Sequence, residues 1–288
     1  MSEGYDALRR GAAWLDLSAR GRIAARGRDR ARLLHNITSN DVKKLTPGAG
    51  CYAFLLSPQG RIQADLLLFC FEDRFLLDAE PELREKVQQH IRRYIISDQV
   101  ELADVTAQTG EIGLEGPAAA AALASLGAPV PGSDYAHLPW GEATVASASL
   151  TGQPGFRIFC PAEQTAELIR RLESAGAKAA SAEDARLVRI ENGKPRYGED
   201  IRETSLPQET QQMHGVSFTK GCYLGQEIVE RIRARGHVNR KLTRIELPGN
   251  DPARPGSTVE IDGKQAEVTS SIYSPQFGKA IALAYVRE

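Results

Sequence analysis

The chain has 288 residues, 42% of them hydrophobic and 25% charged, enough for more than one core because single cores stop growing at roughly 250 to 300 residues. Its net charge of -1 provides no global field for nucleic acid or an acidic membrane, no stretch approaches the ~18 apolar residues of a membrane span, and the N-terminus lacks the basic and apolar regions of a signal peptide. A protein of two or three subdomains is expected, cytoplasmic or else delivered by a transit peptide since cleaved.

Residues 5–40 read as a helix, a short strand and a second helix, over 14–18, 21–27 and 28–36. Six arginines against one aspartate, Asp29, fall between Arg20 and Arg32; they form either a solvated, partly paired basic face or a surface for an anionic ligand tail or RNA phosphate. Pro47, Gly48 and Gly50 mark a turn, after which 51–56, 61–71 and 74–79 read as a three-stranded meander. Pro81 opens a helix that lines up Leu83, Val87, Ile91, Tyr94 and Ile95 on one face. Strands at 100–105 and 111–115, an alanine-rich helix at 117–126, strands at 142–149 and 156–160 and a helix at 163–175 follow. Strand pairs alternating with helices indicate an α+β fold built from ferredoxin-like split β-α-β units.

Ser181-Ala182-Glu183-Asp184 is a capping-box pattern that opens a helix through 185–190. Gly193, Pro195 and Gly198 then force the chain out of the helix and leave Glu191 beside a turn. There its carboxylate either accepts paired N–H bonds from a ligand edge or is held by neighbouring Arg189. After Gly236 the pattern changes to short strands at 242–247, 257–261, 264–272 and 279–286, with Asp262-Gly263 as a two-residue hairpin turn. A small β-barrel or sandwich is expected over 237–288. Residues 1–236 form the larger region, two intertwined subdomains of which the meander and helices near 51–110 make one.

The four cysteines, at 51, 70, 160 and 222, show no C-x-x-C spacing, so no metal is expected to be held by this chain alone. Cys51, Cys70 and Cys160 lie in or open strand-like apolar runs and read as core residues. Cys222 differs. It follows Lys220 and Gly221 and precedes a helix expected from Gly225 onward, in which Glu227 pairs with Arg231 and Ile228 shares a face with Ile232. A thiol beside a lysine and ahead of a helix N-terminus is expected to ionise below its ordinary value of about 8.5. Arg231, Arg233, Arg235, Arg240 and Lys241 form a basic junction beyond it, read as a solvated linker helix in preference to a nucleic-acid site.

Lys220-Gly221-Cys222-Tyr223-Leu224-Gly225-Gln226-Glu227 matches in full the K-G-C-Y-x-G-Q-E signature of the YgfZ-type folate-binding proteins, relatives of the glycine-cleavage T-protein (aminomethyltransferase). Other matches run along the chain: Asp16-Leu17-Ser18 with Gly21, Asn40-Asp41, Gly60 to Asp65, Arg189 to Gly193 with Gly198-Glu199-Asp200, Pro207-Gln208-Glu209, and Tyr273-Ser274-Pro275 before 281–286. The chain resembles that family. The resemblance implies a three-subdomain ring around an opening for tetrahydrofolate or a one-carbon derivative, and a role in assembling or repairing iron-sulfur clusters in client enzymes, including those that thiolate tRNA. It places Glu191, Tyr197, Gly221, Gln226 and Glu227 among the residues expected to hold the folate, and Cys222, Lys220 and Asp65 among those expected to do the chemistry. The T-protein run G-G-x-x-D-D is here Gly60-Arg61-Ile62-Gln63-Ala64-Asp65, so one carboxylate has become Ala64. That departure counts against the alternative, a true aminomethyl transfer to tetrahydrofolate, with Asp65 as partial compensation. Reduced folate and iron-sulfur client or cluster-assembly proteins are the implied partners; a scaffold binding RNA through its arginines is the remaining reading.

Overall fold

Three sheets organise the chain in the computed structural model, which describes residues 1–288. The first has five strands in the order Gly50–Leu56, Ile62–Cys70, Arg74–Ala79, Gly21–Arg26, Glu101–Asp104, each antiparallel to its neighbour. It contains the expected meander. Its apolar face packs against the helices Arg30–Ile37 and Arg84–Arg92 in a cluster of 27 buried residues, among them Leu34, Phe54, Leu68, Val87 and Ile91. The second helix ends at Arg92, so Tyr94 and Ile95 reach the same core from the turn beyond it.

The second sheet has six strands in the order Lys178–Ala179, Ala13–Asp16, Thr109–Glu115, Gly155–Pro161, Ala143–Ser147, His137–Trp140. Only its first pair is parallel. Helices Ala119–Ser125 and Thr165–Ser174 bury Leu123, Leu168 and Leu172 against it. Residues 13–16 are a strand here, with a helix preceding them at Glu3–Arg10, which corrects the helix, strand, helix reading of 5–40. Ala13 and Leu15 alternate inward while Asp16 faces solvent, a period of two that four residues were too few to reveal. The capping box forms as expected at the start of Ala182–Glu191: Ser181 and Asp184 each cap the other's backbone N–H.

The C-terminal residues form one four-stranded antiparallel sheet, ordered Arg240–Glu246, Lys279–Arg287, Lys264–Ser274, Thr258–Ile261. Ala280, Ala282 and Ala284 pack into one cluster and Ile281, Leu283 and Tyr285 into another, so both faces of its central strand are buried.

Phe69, Leu76, Ala146, Ala148 and Phe159 join the first two sheets. Arg22 fastens the same junction. Fully buried, it donates to Thr109 Oγ1 (2.7 Å), to the carbonyls of Ser18 (2.8 Å), Arg20 (3.0 Å), Thr106 (2.9 Å) and Thr109 (2.9 Å), and pairs with Glu111 at 3.2 Å. Glu111 also meets Arg157 at 3.0 Å. Burial, then the charge of Asp78, push its carboxyl up despite these arginines.

Candidate active site

A cavity of about 430 Å³ opens beside this junction, between the first two sheets and the segments that carry Lys194 and His214. Asp65 lines it because of strand alternation: Ile62, Ala64 and Leu66 point into the core, so Asp65 and Leu67 point the other way, into the cavity. The neighbouring strand supplies Tyr52, whose hydroxyl donates to Asp65 Oδ2 at 2.9 Å. The Tyr52 ring stacks on His214 at 5.0 Å between centroids, and His214 lies nearly parallel to Tyr135 at 6.5 Å. Burial, with the charge of Glu80 added, pushes Asp65 up to about 6. Glu80 goes the other way. Burial opposes its charge, but Arg20 at 2.5 Å and Arg196 at 2.9 Å outweigh burial and hold its carboxyl below the usual range. Arg157, Arg189 and Lys194 complete a wall rich in cations. The arrangement offers a proton-holding carboxyl near neutral pH, an aromatic stack and positive charge.

Of the residues expected to hold the folate or do the chemistry, only Asp65 is part of this wall; Arg20 and Arg189, noted in the sequence for their charge, line it too. Glu191 is 1% exposed and its carboxylate already has protein partners: the Tyr5 hydroxyl lies 2.8 and 3.0 Å from its two oxygens, Ser274 Oγ donates to it at 2.5 Å, the Gln276 N–H at 3.3 Å, and Arg9 lies 3.8 Å away. The reading of Glu191 as a ligand acceptor is therefore corrected; its partners are protein groups of the N-terminal helix and the C-terminal sheet. Tyr197 is buried in the first core, donates to the Gln63 carbonyl at 2.9 Å and lies outside the cavity lining.

The Cys222 loop is a separate place. Lys220 does not serve the thiol: its ammonium is buried and donates to the carbonyls of His35, Thr38 (2.6 Å) and Asn40 (2.8 Å), at the end of the Arg30–Ile37 helix. Burial pushes it down to about 8. Cys222 is the exposed one of the four cysteines, ahead of the helix Gln226–Arg235 and separated from it by Gly225 at φ 82°. Gly221 is exposed, Gln226 half-buried, and Glu227 pairs with Arg231 at 2.5 Å. None of these lines the cavity. Ala64 is 1% exposed within the first core, so its lack of a carboxylate removes nothing from the cavity, and the argument against aminomethyl transfer drawn from it falls away. The arginines between 20 and 32 are engaged: Arg20 and Arg22 with buried acids, Arg26 with Asp73, Arg28 and Arg32 with Asp29, and Arg30 with the carbonyls of Gly27 and Glu72. Tyr52, Tyr135, His214, Glu80 and Lys194 escaped the sequence reading. The alternation of 62–70 was the one signal available, since it sets Asp65 opposite Ala64.

The domain family described as GCVT N-terminal domain matches residues 1–220, and the Glycine cleavage T-protein C-terminal barrel domain matches residues 240–288. The chain belongs to the glycine-cleavage T-protein family. It is 33% identical to an aminomethyltransferase of Rubrobacter xylanophilus, over 98% of this chain and 78% of that protein, and 30% identical to one of Geobacillus kaustophilus, over 100% and 82%. It is 27% identical to a putative chloroplastic transferase of Arabidopsis thaliana, over 99% and 68%. The T-protein fold is seen directly in the crystal structure of the glycine cleavage system aminomethyltransferase T from Bartonella henselae, with a TM-score of 0.88 at 22% identity, covering 99% of this chain and 81% of that one. In this family member no helix is long and apolar enough to cross a membrane, and no cluster of three or more His, Cys, Asp or Glu side chains is placed to hold a metal ion.

Proposed function

We propose that this T-protein family member binds a reduced folate in the cavity, with Asp65 as the group that holds or moves a proton at the folate. The observation that carries this is the placement of Asp65: a carboxyl at about 6, hydrogen-bonded by Tyr52 and facing a cavity of about 430 Å³. The wall suits the ligand. A flat, N–H-bearing ring finds a carboxyl and the Tyr52, His214 and Tyr135 rings, and an anionic tail finds Arg157, whose buried Nε–H has no partner. When bound, tetrahydrofolate supplies the nitrogen that carries a one-carbon unit. Asp65, poised near neutral pH, is suited to general acid or base help there, while Arg20 and Arg196 keep Glu80 ionised so that it does not compete for the proton. Titration calorimetry with tetrahydrofolate tests the site: saturable binding weakened by Asp65→Asn is expected, and no binding by the native chain sinks the reading.

The named relatives favour folate-dependent aminomethyl transfer of the glycine-cleavage type. Asp65 supports it chemically. Ammonia release from an aminomethyl-loaded lipoyl carrier with tetrahydrofolate measures it directly. A second reading rests on Cys222: the YgfZ-type signature around it and its exposure beside three buried cysteines favour an accessory factor for iron-sulfur cluster assembly or repair in client enzymes. Cys222→Ser, expressed in cells lacking the native protein, is expected to fail to restore client enzyme activity; full rescue removes the thiol from the mechanism.

A further inference from the structure

We propose that Lys194 is a nucleophilic amine that condenses, inside the cavity, with a small carbonyl compound bearing a carboxylate. The turn that ends the Ala182–Glu191 helix delivers it there. Gly193, at φ 71°, reverses the chain, and the Lys194 N–H closes the turn on the Arg189 carbonyl at 2.9 Å. The ammonium then has one protein partner, the Ser149 carbonyl at 2.6 Å. A lysine has three N–H donors, so two are left for the cavity. The neighbouring cations are differently placed: Arg20 is held by Asp78 and Glu80, Arg189 by Asp200, and Arg196 by Glu80 and Glu82. Lys194 has a neutral carbonyl instead.

Burial pushes its ammonium down from the ordinary lysine range; Glu115 and Asp65 oppose the shift, while Arg157 and Arg20 add to it. Desolvation beside other cations is how a lysine is kept unprotonated and nucleophilic near neutral pH. The choice of carbonyl compound follows from the wall, where Arg20, Arg157, Arg189, Lys194 and Arg196 face Asp65, Glu80 and Asp134. Arg157 is 2% exposed and gives Nη1 to Glu111 at 3.0 Å, but its Nε–H is unpartnered, a donor suited to a carboxylate.

The step balances without a redox partner. Lys194 loses its proton to water, and its lone pair forms the C–N bond as the C=O π pair moves to oxygen. A proton passes from nitrogen to that oxygen. The C–O bond then breaks, the hydroxyl leaves as water with a second nitrogen proton, and an imine remains. Folate is not needed.

The native chain treated at neutral pH with limiting glyoxylate and cyanoborohydride, which reduces the imine, is mapped by mass spectrometry, with formaldehyde in parallel. Carboxymethylation of Lys194 is expected to be clearly faster than that of exposed Lys43 and Lys264. The preference should shrink with formaldehyde, and the product should disappear in Lys194→Arg. Lys220 serves as an internal control, buried but with its N–H groups occupied, and should stay unlabelled. Labelling of Lys194 no faster than the exposed lysines overturns the proposal, and an equal preference with formaldehyde overturns its carboxylate component. The comparison is made within the native chain and holds even where the variant fails to fold.

Discussion

At the cavity wall Lys194 keeps one hydrogen bond, to the Ser149 carbonyl, whereas in the loop that carries Cys222 Lys220 divides its N–H groups among three carbonyls. Both ammonium groups are pushed down by burial. What separates them is how many partners remain to be found. The carboxylates repeat the contrast: Asp65 takes a hydroxyl from Tyr52 and faces open space, while Glu191 is enclosed by Tyr5, Ser274 and Gln276. A buried polar group with its partners in place is structure; one with donors or acceptors to spare beside a cavity is available for chemistry.

The sharpest way to break this contrast is at Asp65. Asp65→Asn is expected to lower folate-dependent turnover by about 10²–10⁴-fold, the usual worth of a positioned acid or base, and a turnover within a few fold of native would place the proton elsewhere. The same variant tests stability against pH. Because the folded pKa of Asp65, about 6, lies above its ordinary 3.8, the folded state holds a proton that the unfolded state has lost between those values. Its contribution is therefore full below about pH 4 and disappears as pH rises through 6, a difference of about 3 kcal/mol. Denaturant titrations at either end should show that difference in the native chain and lose most of it in the variant.

Glu191→Ala should act on the enclosed side of the comparison. Unpairing buried donors costs about 1.5–3 kcal/mol, so the chain is expected to unfold earlier in denaturant while keeping its tetrahydrofolate affinity once folded; a large affinity loss at unchanged stability would return Glu191 to the ligand. The Cys222 loop provides a smaller, paired test. Gly225 sits at φ 82° and a Cβ there would lie 2.5 Å from the Ser57 carbonyl oxygen, so Gly225→Ala should cost about 1–3 kcal/mol. Gly221 meets nothing within 4 Å. Gly221→Ala should change stability by less than about 0.5 kcal/mol, measured by thermal unfolding.

Much of the fold was legible because it is written locally. The meander, the Ser181 capping box and the C-terminal strands each carry their signal in consecutive residues, and the motifs around Cys222 and Gly60 were enough to suggest the family. The short strands Ala13–Asp16 and His137–Trp140 were not recognised, because four residues hold too little periodicity. The site was legible only at Asp65 and, as one of a run of arginines, at Arg20. Its companions come from distant places in the chain: Tyr52 from the neighbouring strand, Tyr135 from a turn and His214 from the short 3-10 helix Met213–Gly215 far downstream. Spacing set Lys220 two residues from Cys222 but could not say which way its side chain turns, and the free carbonyls after the Arg30–Ile37 helix drew it inward. Glu191 was misread for a related reason. Its partners, Tyr5 and Ser274, lie at opposite ends of the sequence.

That last arrangement bears on how the molecule can be divided. The Glu191 carboxylate is the point where the first helix, the helix Ala182–Glu191 and the C-terminal sheet are tied together. A fragment ending near residue 236 would take away the Ser274 and Gln276 donors and leave this carboxylate with Tyr5 and Arg9. The change of sequence character after Gly236 marks a change of architecture, but the hydrogen bonds of Glu191 cross it and fasten the C-terminal sheet to the helix Ala182–Glu191.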